Sequence, residues 1–501
     1  MSVSARRGRG PAFGALLLAL ARTASAAGPL GAEGAPIRTS AYGVDLSQTP
    51  VLAGTRVTGL AGAYVAIAEG TDGDSQTPVA PAVRTSYALD HFDYEFGLGL
   101  TVPATLTSTD FFNTGHGRTV LSDSNQKGFV FVTPAVNLVW GKFGLGATGE
   151  FQTYSLSRQN DAFAAATKDQ IEATFAVYHL QVAATFGRGQ LVVGGGARII
   201  NLGVNTSGGG IGSRPLFSTT GAAPEFGMLL MPTKQPFRVG AALRLGVTTA
   251  PSADSTLAPA LDGDRVIGDP STPVDAFWLP NHTSVPWDLN VGFAIQLGPR
   301  PFNVPFDDPR RAVHEATIEE TARERERATR RREAEHEDPA AREAVDVELD
   351  SERALSDLRL ERIASDARKA LRDRERARPR RYVLISAALV VMGTVPDAVG
   401  IESFLQRVVG RSGRHVTYSP RLGAETEILP HWVKVRAGSY LEPSRFSTGS
   451  ARLHGTFGFD AKLFPWEVFG LFDEGTEWRL SAAVDSAPRY FGWGLSVGVW
   501  H

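Results

Sequence analysis

No cysteine occurs among the 501 residues. That excludes a disulfide framework, thiolate metal sites and cysteine nucleophiles, and it suits an exported chain. Charge of one sign is missing as well. The 51 Lys and Arg stand against 53 Asp and Glu, a net charge of −2, so nothing supplies the basic field that a nucleic-acid partner needs. Long apolar runs are absent too. Nothing approaches the ~18 uninterrupted apolar residues of a membrane helix, and the best rival, 382–395, is too short and β-branched. The ten histidines are scattered without ligand spacing (His415 and His431 fall on different strand ends), so no metal and no cofactor is expected.

What the chain does have is a leader and a rhythm. A basic stretch (Arg6, Arg7, Arg9), an apolar run from Pro11 to Ala21 and the small-residue site Ala24-Ser25-Ala26 predict a signal peptide over residues 1–26. Fifty-three glycines and a mean hydropathy slightly below zero are too polar for a helical membrane protein. They fit a barrel, where only alternate residues meet lipid. The rhythm is clearest near the last residue. Phe491, Trp493, Leu495, Val497 and Val499 point one way; Gly492, Gly494, Ser496 and Gly498 point the other, because successive strand side chains face opposite sides.

The same pattern predicts about fourteen strands, each near the ~9–11 residues that a tilted transmembrane strand needs. They run over 88–102, 127–140, 142–155, 173–187, 190–203, 222–232, 236–249, 285–297, 381–393, 415–428, 432–442, 451–464, 477–486 and 490–500. In the seventh, Phe237, Val239, Ala241, Leu243, Leu245 and Val247 oppose Arg238, Gly240, Ala242, Arg244 and Gly246. In the eighth, Val285, Trp287, Leu289, Val291, Phe293, Ile295 and Leu297 oppose Asp288, Asn290, Gly292, Ala294 and Gln296. The eleventh sets Val433, Val435 and Ala437 against Lys434, Arg436 and Gly438, while the ninth is apolar on both faces. Link lengths alternate. Gly141, Arg188-Gly189, Thr233-Lys234-Gln235 and Pro430-His431 are short; 103–126, 156–172, 204–221, 250–284 and 394–414 are long and polar. Outer-membrane barrels have short periplasmic turns and long extracellular loops. The expected fold is all-β: a ~14-stranded antiparallel transmembrane β-barrel in a bacterial outer membrane, with strands over 84–306 and 382–501.

One link breaks the alternation. About every second residue of 307–381 is charged, with signs mixed, as in Arg323-Glu324-Arg325-Glu326-Arg327. Ala, Glu and Arg favour helix, and Glu/Arg pairs three and four apart support it. Asp338-Pro339 ends one helix and starts another. A thin seam (Val345, Leu349, Leu355, Ile363, Ala367, Leu371) allows a helical hairpin on the periplasmic side. Two readings stand: a solvated hairpin without a partner, or an arm that docks a periplasmic protein.

Between the leader and the first strand, 27–83 is apolar and glycine-rich but too irregular for a strand, so it either hangs in the periplasm or folds back as a plug. Within it, Arg56, Gly59, Leu60, Ala61, Gly62, Ala63, Val65, Ala66, Ala68 and Asp72 resemble the N-terminal hatch signature of the FadL-type long-chain fatty acid transporters. The stretches 418–427 and 435–443 are similar to late strands of that family. Two departures occur: Thr77-Pro78-Val79 stands where the family has Asn-Pro-Ala, and Asp72-Gly73-Asp74-Ser75 where it has Asp-Asp and an aromatic. The resemblance implies a lumenal hatch over 27–83 and passive uptake of hydrophobic small molecules such as long-chain fatty acids, with no enzyme activity. The alternative is a non-transporting barrel that serves as a docking partner through its insert.

The hatch residues expected to matter are Arg56, Gly59, Gly62, Asp72, Asp74 and Pro78. Gly59 and Gly62 suit close approach to the wall, and Asp72 and Asp74 are expected to pair with guanidinium groups such as Arg238, Arg244 or Arg436. The lumen-facing candidates are Arg238, Arg244, Asp288, Lys434, Arg436 and Asp460, joined by Arg198, Arg421, Glu425, His454, Lys462 and Arg479. These charges either hold the plug in a paired network or attract a carboxylate headgroup. Gly494-Leu-Ser-Val-Gly498 matches a nucleophile-elbow pattern, yet it lies inside a strand where that motif needs a strand-to-helix turn. Gly194-Gly195-Gly196 has no following helix or lysine to make a phosphate loop, and close approach of a plug is the better reading.

Overall fold

An apolar outer face and a filled interior define the architecture. The structure, a computed structural model, describes residues 30–83, 91–103, 110–115, 130–158, 169–208, 211–250, 252–253, 264, 266–267, 277–304, 310–336, 338–465 and 477–499; the predicted leader lies outside them. Fourteen strands form one closed antiparallel sheet. They are β1 (Phe92–Pro103), β2 (Val130–Trp140), β3 (Phe143–Arg158), β4 (Asp169–Phe186), β5 (Leu191–Gly208), β6 (Ile211–Leu230), β7 (Phe237–Arg244), β8 (Asp288–Leu297), β9 (Val383–Met392), β10 (Thr417–Leu429), β11 (Val433–Glu442), β12 (Arg452–Pro465), β13 (Glu477–Ala487) and β14 (Tyr490–Val499). Each pairs with its neighbour in sequence. The seam closes where Leu98 of β1 lies opposite Val497 of β14 and Leu100 opposite Leu495.

The outer face is apolar at every second residue, as in β1, where Phe92, Tyr94, Phe96, Leu98 and Leu100 are all exposed. Phe92, Trp140, Phe143, Phe186, Trp432 and Phe464 are exposed near the end that carries the short links, the aromatic belt of a membrane interface. This is an outer-membrane-type β-barrel.

Three sequence expectations need correction. The stretch 204–221 is not a long loop: β5 and β6 stay paired through Val204 opposite Phe217 and Asn205 opposite Pro215. β3 and β4 likewise run into 156–172, pairing Arg158 with Asp169. These four strands are 16, 18, 18 and 20 residues long, well beyond the ~9–11 a bilayer requires. Beyond the lipid no greasy face is demanded, so the two-faced pattern lapses while the ladder continues. Third, the seventh and eighth predicted strands are each broken, at Leu245-Gly246 and Pro286-Trp287. Their far pieces, Val247–Thr249 and His282–Val285, leave the barrel and pair with each other inside it. Strand β9 is apolar inward because the hatch covers it: Leu384 packs with hatch residues Val57, Leu60 and Ile67.

Residues 30–83 occupy the barrel's interior. A short helix α1 (Thr55–Gly59) and tight turns carry the chain across the lumen, and Ala53, Val57, Leu60, Ala61, Tyr64 and Ile67 are buried there. The link between β8 and β9 holds two helices, α2 (Arg310–Ala334) and α3 (Pro339–Arg376). The Asp338 carboxylate accepts hydrogen bonds from the backbone N–H groups of Ala340 and Ala341, the N-cap that lets a helix restart after Ala334. Arg330 and Arg331 of α2 cross to Glu348, Glu352, Asp346 and Asp350 of α3. Leu349 and Ser356 are buried in the seam, but Leu355, placed in it by spacing, points to solvent.

At the end with the long links, a five-stranded inner sheet closes the mouth. Its order is Arg411–Ser412, Ala398–Gly400, Gly43–Asp45, His282–Val285, Val247–Thr249, and the central strand comes from the segment ahead of the hatch. A helical turn, α4 (Ile401–Leu405), packs beside it. Tyr42, Val44, Phe217, Phe277, Val399 and Phe404 form its buried core. We call this layer the lid.

Candidate functional site

The hatch is seated on glycines of the wall. Inward positions of a strand point at the plug, and where the two backbones meet no side chain fits. A Cβ at Gly240 of β7 would overlap the Val65 carbonyl, one at Gly194 of β5 the Pro78 carbonyl, and one at Gly144 of β3 the Pro81 backbone. Gly423 of β10 and Gly438 of β11 meet Leu60 and Ala61 at 2.6 and 2.8 Å in the same sense. A Cβ at Gly59 of the hatch would lie 3.3 Å from the Gly458 Cα of β12, and the Gly59 carbonyl accepts a hydrogen bond from Thr456 at 3.1 Å. Gly62 has φ +72, where a Cβ is strained, and a side chain there would strike the Arg421 guanidinium.

A chain of buried ion pairs ties the hatch to this seat. Arg436 bridges Asp460 with both terminal nitrogens and donates from Nε to Glu425 at 2.6 Å. Glu425 also accepts from Arg56 of the hatch, twice at 2.9 Å, and from the Tyr382 hydroxyl at 2.9 Å. Arg56 continues to Glu69 at 3.3 Å, and Glu69 to Arg238 at 2.9 Å. Arg238 completes its set on the Ile67 and Phe302 carbonyls and Asn303. Burial opposes ionisation of Glu69, but Arg238 and Arg56 hold its carboxyl below the usual range. The alternating signs cancel locally, which is how charges persist away from water.

Two further networks stand nearer the lid. Glu225 accepts from His179 at 2.9 Å and Gln181 at 2.8 Å, while Arg244 and Arg198 share Asp288 at 3.0 and 2.9 Å. Arg244 also donates to the Ser75 carbonyl, and Gln181 to the Asp74 carbonyl. On the opposite wall His454 lies between Asp485 at 2.8 Å and Glu442 at 2.6 Å, stacked on Tyr440. An imidazole donates from both nitrogens only when protonated, so this cluster keeps a proton on the ring or on a carboxyl. Val51 of the hatch donates its N–H to the Tyr440 hydroxyl at 3.1 Å. The lid is pinned by a buried pair, Asp45 with Arg445 at 2.8 Å.

Between lid and hatch lies a partly open cavity. Phe175, Val177, Ile200, Val390 and Met392 give it an apolar wall; Arg198, Arg244, Asp288, Asn290 and Arg421 give it a polar one. Among the described residues no carboxylate pairs with Arg421, whose guanidinium lies 5.9 Å over the Tyr440 ring. Below the hatch a second cavity opens among Glu69, Asp72, Glu95, Arg238, Phe302 and Lys434.

The sequence candidates thus fall into place unevenly. Arg238, Arg244, Asp288, Arg436 and Asp460 all face the lumen and take part in these networks; Lys434 is buried beside the lower cavity. The expected partners of the hatch aspartates need correction. Asp72 pairs with Arg479 at 3.0 Å, not with Arg238, Arg244 or Arg436. Among the described residues Asp74 pairs with no arginine. It is fully buried, and burial pushes its carboxyl well above the usual range against the opposing pull of Asn137. Those three arginines are already engaged by strand carboxylates and by Glu69. Sequence reasoning missed Glu69, Glu225, Glu442, Asp485 and the Asp45–Arg445 pair. His179 and Gln181 could have been flagged, since they alternate inward in a strand whose other face is Tyr178, Leu180 and Val182. Ser496 of the elbow-like motif sits mid-strand opposite Gly99 and shares a hydrogen bond of 2.6 Å with Thr55, with no turn at that point.

No protein-family model and no curated protein matches the chain. Solved structures do. A FadL homologue from Pseudomonas aeruginosa aligns over 90% of this chain and 99% of its own at 11% identity, with a TM-score of 0.45. The P. putida toluene transporter TodX aligns over 90% and 98% at 10% identity and a TM-score of 0.47, and the Ralstonia pickettii toluene transporter TbuX over 90% and 98% at 10% and 0.44.

Proposed function

We propose that the barrel takes up hydrophobic small molecules passively across a bacterial outer membrane, with long-chain fatty acids and aromatic hydrocarbons as the candidate cargo. The observation that carries this reading is the cavity between lid and hatch. Its lining, apolar on one wall and polar on the other, suits an apolar body with a polar end. Arg421 stands where a carboxylate end would be received. In this orientation the short turns and the α2–α3 hairpin face the periplasm and the lid faces outward. Cargo is stopped by the polar saccharide layer rather than by hydrocarbon, so a barrel with a holding site needs no energy source.

Growth of cells on a long-chain fatty acid or an aromatic hydrocarbon, with and without the gene, tests the reading. Ile200→Trp should fill the apolar wall and lower uptake at least tenfold while barrel assembly is unchanged. Uptake indifferent to both gene and substitution would remove the transport function.

A docking role for the hairpin has one observation in its favour: Ile318, Val347, Leu355 and Leu358 are exposed on otherwise charged helices. Deleting 309–379 should leave uptake intact and release a periplasmic protein that co-purifies with the full chain. If nothing is lost from the purified complex, the hairpin is only a solvated excursion.

A further inference from the structure

The chain that leaves β8 does not run straight to the hairpin. Gly298 turns at φ +117, a value that favours glycine, and 298–304 then crosses beneath the hatch as a strap. A link in water is ordinarily exposed, yet Phe302 and Asn303 are buried. Pro299 and Pro301 fix φ on either side of Arg300 and stiffen the segment. The strap rests on two flanks of the wall. On one, Asn303 Nδ2 lies 3.0, 3.0 and 2.8 Å from the carbonyls of Pro232, Gln235 and Phe237 at the β6–β7 turn. On the other, the Arg300 guanidinium lies 4.9 Å over the Tyr382 ring and reaches Glu427 of β10 at 3.5 Å.

Strap and hatch meet on one guanidinium. Arg238 donates from Nη1 to the Ile67 carbonyl and to Glu69 of the hatch, both at 2.9 Å. From Nη2 it donates to the Phe302 carbonyl at 2.9 Å, and from Nε to Asn303 at 2.8 Å. It also lies 3.9 Å over the Phe302 ring, and Phe302 shares an apolar cluster with Tyr64 and Ile67 of the hatch. The other root of the hairpin is tied to the same chain of charges, because Tyr382 donates to Glu425, which holds Arg56. We infer that the strap is an autoinhibitory latch at the foot of the hairpin: it closes the exit beneath the hatch, and the lower face of the hatch is freed only when Phe302 and Asn303 leave Arg238 and the β6–β7 turn. That this exit faces the periplasm rests on the orientation proposed above; the latch itself does not depend on it.

The absence of cysteine lets one introduced thiol report alone. Ile67→Cys marks the lower face of the hatch, and Val51→Cys, in the lining of the cavity under the lid, marks its other side; both positions are buried. The readout is the rate at which a water-soluble maleimide labels each purified full-length protein in micelles, which needs no cargo and no uptake. Asn303→Ala should raise the rate at 67 by about tenfold through a shifted local opening equilibrium, and leave the rate at 51 at the parent value. Asn303→Asp keeps an acceptor for Arg238 but sets a carboxylate against the three carbonyls of the turn, so it should open the lower face as far as Asn303→Ala does. Heat-modifiable migration on gels confirms that each variant is a folded barrel. An unchanged rate at 67 in both variants would overturn the latch. An equal rise at 51 would do the same, since the hatch would then have moved as a whole. So would an Asn303→Asp protein that labels like the parent, because Asn303 would then serve only to satisfy Arg238.

Discussion

Replacing Arg436 with methionine is expected to lower the unfolding free energy by about 3–5 kcal/mol, the usual cost of removing one partner of a buried ion pair. Arg436 is fully buried and donates to both Asp460 and Glu425. Without it, Asp460 keeps Arg479 at 3.8 Å and the charge of Lys434, and Glu425 keeps Arg56 and Tyr382. The loss should propagate along the chain of pairs to Glu69 and Arg238, loosening the hatch before the barrel opens. Denaturant unfolding in detergent micelles reads the first effect, and protease cleavage within 50–83 the second. Adding Asp460→Asn and Glu425→Gln should recover most of the stability, because neutral side chains no longer need a countercharge. An Arg436→Met protein within 1 kcal/mol of the parent (roughly the value of an exposed pair) would mean that water reaches this network freely.

Gly240→Leu should expel the hatch. The added Cβ would overlap the Val65 carbonyl and lie 2.9 Å from the Ala66 Cα, and this stretch of hatch is buried with no free side to retreat to. We expect a constitutively open pore, with conductance at least tenfold above the parent. Gly62→Leu should do less. Its main obstacle is the end of the Arg421 side chain, which can swing away. What remains is the left-handed backbone at φ +72, worth about 1–2 kcal/mol for a residue with a Cβ. If Gly240→Leu keeps both the parent conductance and a protease-resistant 50–83 segment, the glycine seats do not position the hatch.

The barrel was legible because lipid imposes a rule residue by residue: a strand surrounded by hydrocarbon must show it an apolar side chain at every second position. The pattern at Phe237–Arg244 and Tyr490–Val499 carries that requirement directly. Where the requirement stops, so did the reading. The far parts of β5 and β6 project past the lipid, and 204–221 looked like loop although it is ladder. The lid was hidden for a different reason. Gly43–Asp45 is three residues long and is held by strands roughly 240 and 350 positions away, a partnership no local pattern records. The inward charges were visible as a set, but not who pairs with whom. Asp72 reaching Arg479 rather than Arg238 depends on which strand lies beside which turn of the hatch. Leu355 failed on a finer scale, since the helical seam drifts and passes through Ser356 instead.

The course of the N-terminal segment has a mechanical consequence. Residues 31–34 lie at the lid, where Arg411 holds Glu33 at 3.2 Å, and the chain then passes down the bore to enter β1 at Phe92, next to the short turn at Gly141. The ring is sealed by β1 and β14, the first and last strands of the sheet, around a thread that belongs to the same polypeptide. No ladder of the wall has to break for that thread to leave. Tension applied at its lid end would first unzip Gly43–Asp45 from its two parallel neighbours and then draw the hatch off its ion pairs one at a time. The barrel would stay closed as an empty cylinder.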